Sequence, residues 1–193
     1  MRPILDICGM SNLKPWQHIS SRYLHEEKWF KFRADQVRKG NGETMEPYYV
    51  LEYSNWVNVL PVTTDGKVIL VKQYRYALGT FSLELPGGIM DAHETNPLEA
   101  ARRELLEETG YSCTEIIQTG IVATNPATQN NRLFCYLATG CTLTHNISLD
   151  ENEELEVLLV TVDELLQLLR NNEIIQSLHV SSIFYGLQAL GRI

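Results

Sequence analysis

Apolar residues in this chain cluster in short blocks, and most block lengths suit strands rather than helices. "WVNVLPVTTDGKVILVKQYR" holds two such blocks flanking Asp65-Gly66, a favoured hairpin turn, and predicts an antiparallel pair. "FSLELPGG" predicts a short strand that stops at Pro86, and further strand-like blocks lie at 116–123, 133–138 and 155–160. Helical spacing appears at 161–173, where Thr161 and Glu164 are placed for a capping box, and again at 179–190. Upstream, "SSRYLHEEKWFKFRADQVRKGNGE" predicts two strands and a Lys39-Gly40-Asn41-Gly42 turn. It has few aliphatic residues, so residues 1–50 read as a β arm that packs on the main domain, 51–193, or on a partner subunit. Strands joined by hairpins and mixed with helices predict an α/β fold with a mixed sheet, not a doubly wound parallel one.

The longest helical signal is "NPLEAARRELLEETG". Asn96 is an N-cap residue, Pro97 suits the first helical position, Glu99 is spaced to complete a capping box, and Gly110 supplies a left-handed stop. Ala100, Ala101, Leu105 and Leu106 offer the packing side. Glu104, Glu107 and Glu108 stand at i, i+3 and i+4, which puts three carboxylates on one face of the helix. Unpaired, they repel one another unless a cation sits among them, and magnesium takes oxygen ligands of this kind. The same run also fits a solvated acidic face with Arg103 pairing Glu107. The "ELPGG" strand end just upstream favours the first reading, because a strand end, a glycine loop and an acidic helix together make a pocket.

Composition narrows the partners. The 193 residues carry a net charge of −8, with 44% hydrophobic and 21% charged residues, which fits one packed domain with a small appendage. An acidic surface repels phosphate backbones, so nucleic acid is not the expected partner, and any phosphate chemistry needs a cation to mediate it. Cys8, Cys113, Cys135 and Cys141 form no CxxC pair and read as free thiols of a reducing, cytoplasmic compartment. The opening "MRPILDICGM" is too short in apolar residues for a signal peptide, and nothing approaches the ~20 apolar residues of a membrane span.

Residues 88–111 resemble the Nudix box, G-x5-E-x7-R-E-U-x-E-E-x-G-U, where U is bulky and apolar. Gly88 and Glu94 match its first half, and Arg103, Glu104, Leu105, Glu107, Glu108, Gly110 and Tyr111 its second. Eight residues, Thr95 to Arg102, separate the halves where seven are usual. Counting back from Glu104 to Pro97 makes Asn96 the insertion, which leaves the helix register intact and the role of Glu94 open. "VKQYRYALG", "LELPGG", "TNPATQN" and "LDENEELEV" are similar to the ADP-ribose and nucleotide-sugar pyrophosphatase branch.

The resemblance implies a Nudix fold, a mixed β-sheet in an α/β/α sandwich with an N-terminal β arm. It implies Mg²⁺, or Mn²⁺ in its place, bound by Glu104, Glu108, Glu153 and the Gly87 carbonyl with help from Glu107. It gives Glu151 and Glu153 as candidates for the catalytic base, Glu153 first as ligand and Glu151 first as base. Arg75 would hold substrate phosphate, Glu84 would stand beside the pocket, and Arg103, Gly88 and Glu94 would be structural. In this branch the arm builds a homodimer and stacks aromatic side chains on the base; Trp16 and Trp29 are the candidates here, packing being the alternative for each. The implied reaction is hydrolysis of the diphosphate bridge of ADP-ribose or a nucleoside-diphosphate sugar. Dinucleotide polyphosphate or CoA-type pyrophosphatases, and a Nudix-fold binding module without catalysis, are the alternatives.

Overall fold

A computed structural model describes residues 13–149 and 153–193, so Cys8 and Glu151 lie outside the described residues. The chain divides into two compact units. One runs through Tyr53 and takes in Asn125–Asn130; the other comprises Ser54–Thr124 and Asn131–Ile193.

The first unit is a three-stranded antiparallel sheet of β1 (Gln17–Glu26), β2 (Lys31–Arg38) and β3 (Thr44–Glu52), in that order. The sequence reading has only two strands here. Pro47 hides the third, because proline cannot donate to a ladder. The sheet accommodates it in an irregularity: Tyr48 pairs with Asp35 and Met45 with Val37, so Glu46 and Pro47 fall between the paired positions. The segment Asn125–Asn130 joins this unit through Leu51 N–H donating to Thr128 O at 2.7 Å and Tyr48 Oη–H donating to Ala127 O at 2.9 Å.

The second unit contains β4 (Trp56–Thr63), β5 (Lys67–Arg75), β6 (Thr80–Glu84), β7 (Gly87–Ile89), α1 (Pro97–Thr109), β8 (Tyr111–Ser112), β9 (Glu115–Ala123), β10 (Arg132–Leu143), β11 (Leu155–Thr161), α2 (Val162–Arg170) and α3 (Ser177–Ala189). The sheet is mixed: β4 and β10 run parallel, and the other pairs are antiparallel. β10 is longer than its apolar block because a register shift between Ala138 and Cys141 carries it on to pair with β8.

Helices cover both faces, and the two-residue period of the strands sorts the core accordingly. Val57, Val59, Ile69, Tyr136 and Ala138 pack with Ala100, Ala101 and Leu105 of α1. Their neighbours Leu60, Val68, Leu70 and Leu137 pack with Leu165 of α2 and Ile183 and Leu187 of α3. The near-continuous apolar runs of β4 and β5 are what a doubly covered strand requires, and each fully buried Leu or Ile contributes about 1.5–3 kcal/mol.

The helix ends largely follow their capping signals. Thr161 and Glu164 form the expected capping box of α2, which closes at Asn171, short of residue 173. Gly110 ends α1 at φ 74°, donating to Leu106 O at 2.8 Å. At the start of α1 the cap takes another form. The short Asn96 side chain reaches Leu98 N–H at 3.1 Å, one position before Glu99, so Glu99 does not complete a capping box.

Candidate active site

The acidic run on α1 is not a solvated face. Glu104 and Glu108, one turn apart, are 8% and 5% exposed and belong to the buried side of the helix with Ala100, Ala101 and Leu105. Glu107 stands at the margin, its side chain 46% exposed. The three carboxylates therefore share a side of the helix but not an environment. Burial, and then the charges of Glu107 and Glu153, push the Glu104 carboxyl up to about 7 against the pull of Arg103. Burial pushes Glu108 up to about 8, with Glu104, Glu153 and Glu84 adding repulsion and the Gly87 N–H opposing it.

Arg103 organises this cluster. Its Nε and Nη2 donate to the two oxygens of Glu94, each at 3.0 Å, and its Nη1 donates to Glu104 at 2.9 Å and Glu107 at 3.0 Å. Nη2 also donates to Ile89 O at 3.3 Å. The lengthened lead-in does not carry Glu94 away. A turn from Asp91 to Glu94 folds it back, and Arg103 holds its carboxyl below the usual range.

The glycines before the helix are explained by crowding. A Cβ on Gly87 would stand 2.2 Å from Val57 O, and one on Gly88 would stand 2.6 Å from Glu104 Oε1. Gly87 N–H donates to Glu108 Oε2 at 2.9 Å. Only a bare backbone comes this close to both buried carboxylates.

A second buried group lies across β5 and β6. Glu84 is 1% exposed and ionised: burial opposes its charge, but bonds from Arg75 and His179 overcome burial and hold the carboxyl well below the usual range. Arg75 grips it with two bonds, Nε to Oε1 at 2.9 Å and Nη2 to Oε2 at 2.6 Å, and Gln73 Nε2 donates at 3.2 Å. His179 Nε2 stands 3.1 Å from Glu84 Oε2. Arg75 remains 42% exposed, so it is tethered at one side and open at the other. It also feels the charges of Glu108 and Glu153, which help raise its pKa after the bond to Glu84.

Of the residues singled out in the sequence, Gly87, Gly88, Glu94, Arg103, Glu104, Glu107 and Glu108 are joined by direct bonds or close approach, and Glu153 is linked electrostatically to Glu104, Glu108 and Arg75. Trp16 and Trp29 belong to the N-terminal unit. Trp16 packs edge-on against Tyr48 and lines a cavity of about 410 Å³ with Arg33, the buried Asp35 and the Pro126–Asn130 segment. Trp29 lies elsewhere, 62% exposed with Lys28 Nζ 4.3 Å over its ring.

Sequence reasoning missed Gln73, Asn58 and His179. A signal for His179 exists: the buried stripe of α3 is His179, Ser182, Ile183, Gly186 and Leu187. That is helical spacing with a polar residue where an aliphatic one is expected.

Among the described residues no three His, Cys, Asp or Glu side chains stand ready as a metal cluster. The donor chemistry nevertheless fits a hard divalent cation, since two buried carboxylates driven toward protonation are stabilised as anions by such a charge.

The pattern of the NUDIX domain matches residues 52–179, about two thirds of the chain. The chain belongs to the Nudix hydrolase family. Residues 16–51 match a second pattern, the nucleoside diphosphate sugar hydrolase N-terminal domain. Among similar proteins, a methanol dehydrogenase activator of Bacillus methanolicus is 30% identical over 91% of this chain and 95% of its own. An ADP-ribose pyrophosphatase of Bacillus subtilis (strain 168) is 30% identical over 86% of this chain and 90% of its own. A solved structure titled as an ADP compounds hydrolase shares the Nudix fold, with a TM-score of 0.79 and 20% identity over 95% of this chain and all of that one.

Proposed function

We propose that this Nudix hydrolase cleaves the diphosphate bridge of ADP-ribose or a nucleoside-diphosphate sugar, with water added across the P–O–P linkage to give a nucleoside monophosphate and a sugar phosphate. The observation that carries the reading is the pair Glu104 and Glu108, buried one turn apart beside the Gly87 backbone and both poised to gain charge. Mg²⁺, with Mn²⁺ able to replace it, would be held by Glu104, Glu108, Glu153 and the Gly87 carbonyl, with Glu107 assisting. A bound cation of this kind neutralises bridging phosphate oxygens and lowers the pKa of a bound water. Arg75, tethered to Glu84 on one side, presents its exposed side to a substrate phosphate. Arg103 fixes Glu104 and Glu107, so the ligands do not have to reorganise when charge builds on the phosphate. Glu151 removes the proton of the attacking water, and Glu153 takes that role if Glu151 does not reach it.

The substrate class is supported by the names of the Bacillus subtilis relative and of an ADP-sugar pyrophosphatase of Mus musculus, 36% identical over half of this chain and half of its own. In the arm, Trp16 is the residue assigned to stack on the nucleobase and Trp29 a second aromatic contact. A homodimer is supported by β1, whose ten residues are all exposed although they include Ile19, Tyr23 and Leu24. A cytoplasmic setting is supported by the free thiols of Cys113, Cys135 and Cys141. No described helix is long and apolar enough to cross a membrane.

The test is a panel of ADP-ribose, GDP-mannose, UDP-glucose and diadenosine polyphosphates incubated with the protein and Mg²⁺. Release of a nucleoside monophosphate from the first three, lost on chelation, is expected. Turnover of diadenosine polyphosphates alone would move the enzyme to that substrate class, and no turnover by folded protein would overturn the catalytic reading.

A further inference from the structure

His179 lies at the start of α3, outside the box and outside the acidic cluster. It is 4% exposed, and both ring nitrogens are engaged. The Leu85 backbone N–H donates to its Nδ1 at 3.1 Å. A main-chain N–H can only donate, so Nδ1 is the accepting nitrogen and the ring proton sits on Nε2. Nε2 faces Glu84 Oε2 at 3.1 Å. Asn58 Nδ2 stands 3.2 Å from Nδ1 and 3.3 Å from Ser182 Oγ, which steadies the ring from β4 and from its own helix.

Two of these bonds, to Glu84 and to Leu85, reach residues that lead into the site. Glu84 is the tether of Arg75, through two bonds of 2.9 and 2.6 Å. Leu85 leads directly into Pro86 and Gly87; Pro86 O accepts from Val59 N–H at 2.9 Å, and Gly87 N–H reaches Glu108. One imidazole therefore spans the β6 strand end and sets two things: the orientation of the carboxylate that aims Arg75, and the path of the backbone that meets Glu108.

We propose that His179 is a positioning residue for this active site, acting through Glu84 on Arg75 and through the Leu85 amide on the Gly87 backbone. The Arg75 half rests on the reading of Arg75 as the phosphate-binding residue. His179 does not touch substrate. It holds one nitrogen as donor and the other as acceptor, and both are needed.

Two substitutions separate the halves. Asparagine can place an acceptor near the Nδ1 position but has nothing at Nε2; glutamine can place an N–H near Nε2 but offers no acceptor at Nδ1. His179→Asn is expected to loosen the Glu84 carboxylate, and with it the Arg75 guanidinium that it holds, while keeping the Leu85 amide protected. His179→Gln is expected to do the reverse. The first measurement needs no substrate: NMR of the Arg75 Nε–H signal and of Leu85 amide exchange. Exchange at Arg75 should quicken about tenfold in His179→Asn and stay near wild type in His179→Gln, the loss of one hydrogen bond to a charged group. Equal behaviour of the two variants at both probes, or a wild-type Arg75 signal in His179→Asn, would overturn the proposal.

The second measurement is kinetic. His179→Asn should raise KM about tenfold with kcat nearly unchanged, and should add nothing further in an Arg75→Ala background. Multiplicative effects of the two substitutions would mean that His179 acts as general scaffolding. Failure of the wild type to turn over any diphosphate would defeat the catalytic reading, and the NMR comparison would still decide the role of His179. Urea midpoints for both variants establish that each is folded when measured.

Discussion

Replacing Glu108 with Gln separates metal chemistry from folding in one change. The carboxyl is buried, accepts the Gly87 N–H, and is pushed by burial from its ordinary 4.5 up to about 8. The folded chain thus holds this proton more tightly than the unfolded chain. Its contribution to stability is intact below pH 4.5 and is lost as pH rises toward 8. Each pH unit inside that window removes about 1.4 kcal/mol, so near neutral pH the metal-free protein has given up on the order of 3 kcal/mol at this one group. Glutamine is neutral, nearly isosteric and still accepts from Gly87. In chelator the variant should melt close to wild type near pH 5 but roughly 6–12 °C above it near pH 7, at ~2–4 °C per kcal/mol for a chain of this size. Excess Mg²⁺ should then close the gap, because a ligand at about 100 times its Kd returns ~2.7 kcal/mol to the wild type and much less to the variant. Turnover should fall steeply in the variant. Calorimetric melts with EDTA and with Mg²⁺ at several pH values check all of this. A variant no more stable than wild type near pH 7 in chelator, or a gap that does not change with pH, would refute the electrostatic account of the site.

Gly186→Ala should destabilise the packing of α3 on β4: the new Cβ would meet Leu60 Cδ2 at 2.4 Å, and Leu60 is fully buried. Overpacking of this kind costs about 1–3 kcal/mol, partly offset by alanine's better helix propensity, so a lower urea midpoint is expected and a higher one would contradict the packing described. Sedimentation equilibrium should return about twice the 22.0 kDa chain mass, and a species at the chain mass itself would count against pairing through the arm.

How much of this was legible in the sequence depended on the range of the interaction. The β4–β5 hairpin and α1 were readable because turn residues, caps and periodicity act within a few positions, and Asp65-Gly66, Pro97 and Gly110 each did what its chemistry dictates. β3 was hidden by Pro47, whose ladder defect is tolerated only because a bulge takes it up across the sheet. The acidic helix showed its spacing but not its burial; that two of three glutamates turn inward is decided by the sheet face opposite. The return of Glu94 to Arg103 across the longer lead-in was open in the sequence, since a loop's path is not periodic. For His179 the helical spacing of α3 carries a signal of burial but none of its partners: Leu85 and Asn58 are 94 and 121 positions away.

Those separations also set an order of assembly. Gly87 and Glu108 lie 21 positions apart and can meet as soon as α1 packs. Glu84 and Leu85 acquire their imidazole only when α3 docks on the far face of the sheet. During synthesis the chain therefore carries a complete acidic helix well before it carries a supported Arg75. By the positioning proposal Arg75 gains its full support only with α3, so proteolytic loss of α3 should weaken substrate binding without touching residues 88–111.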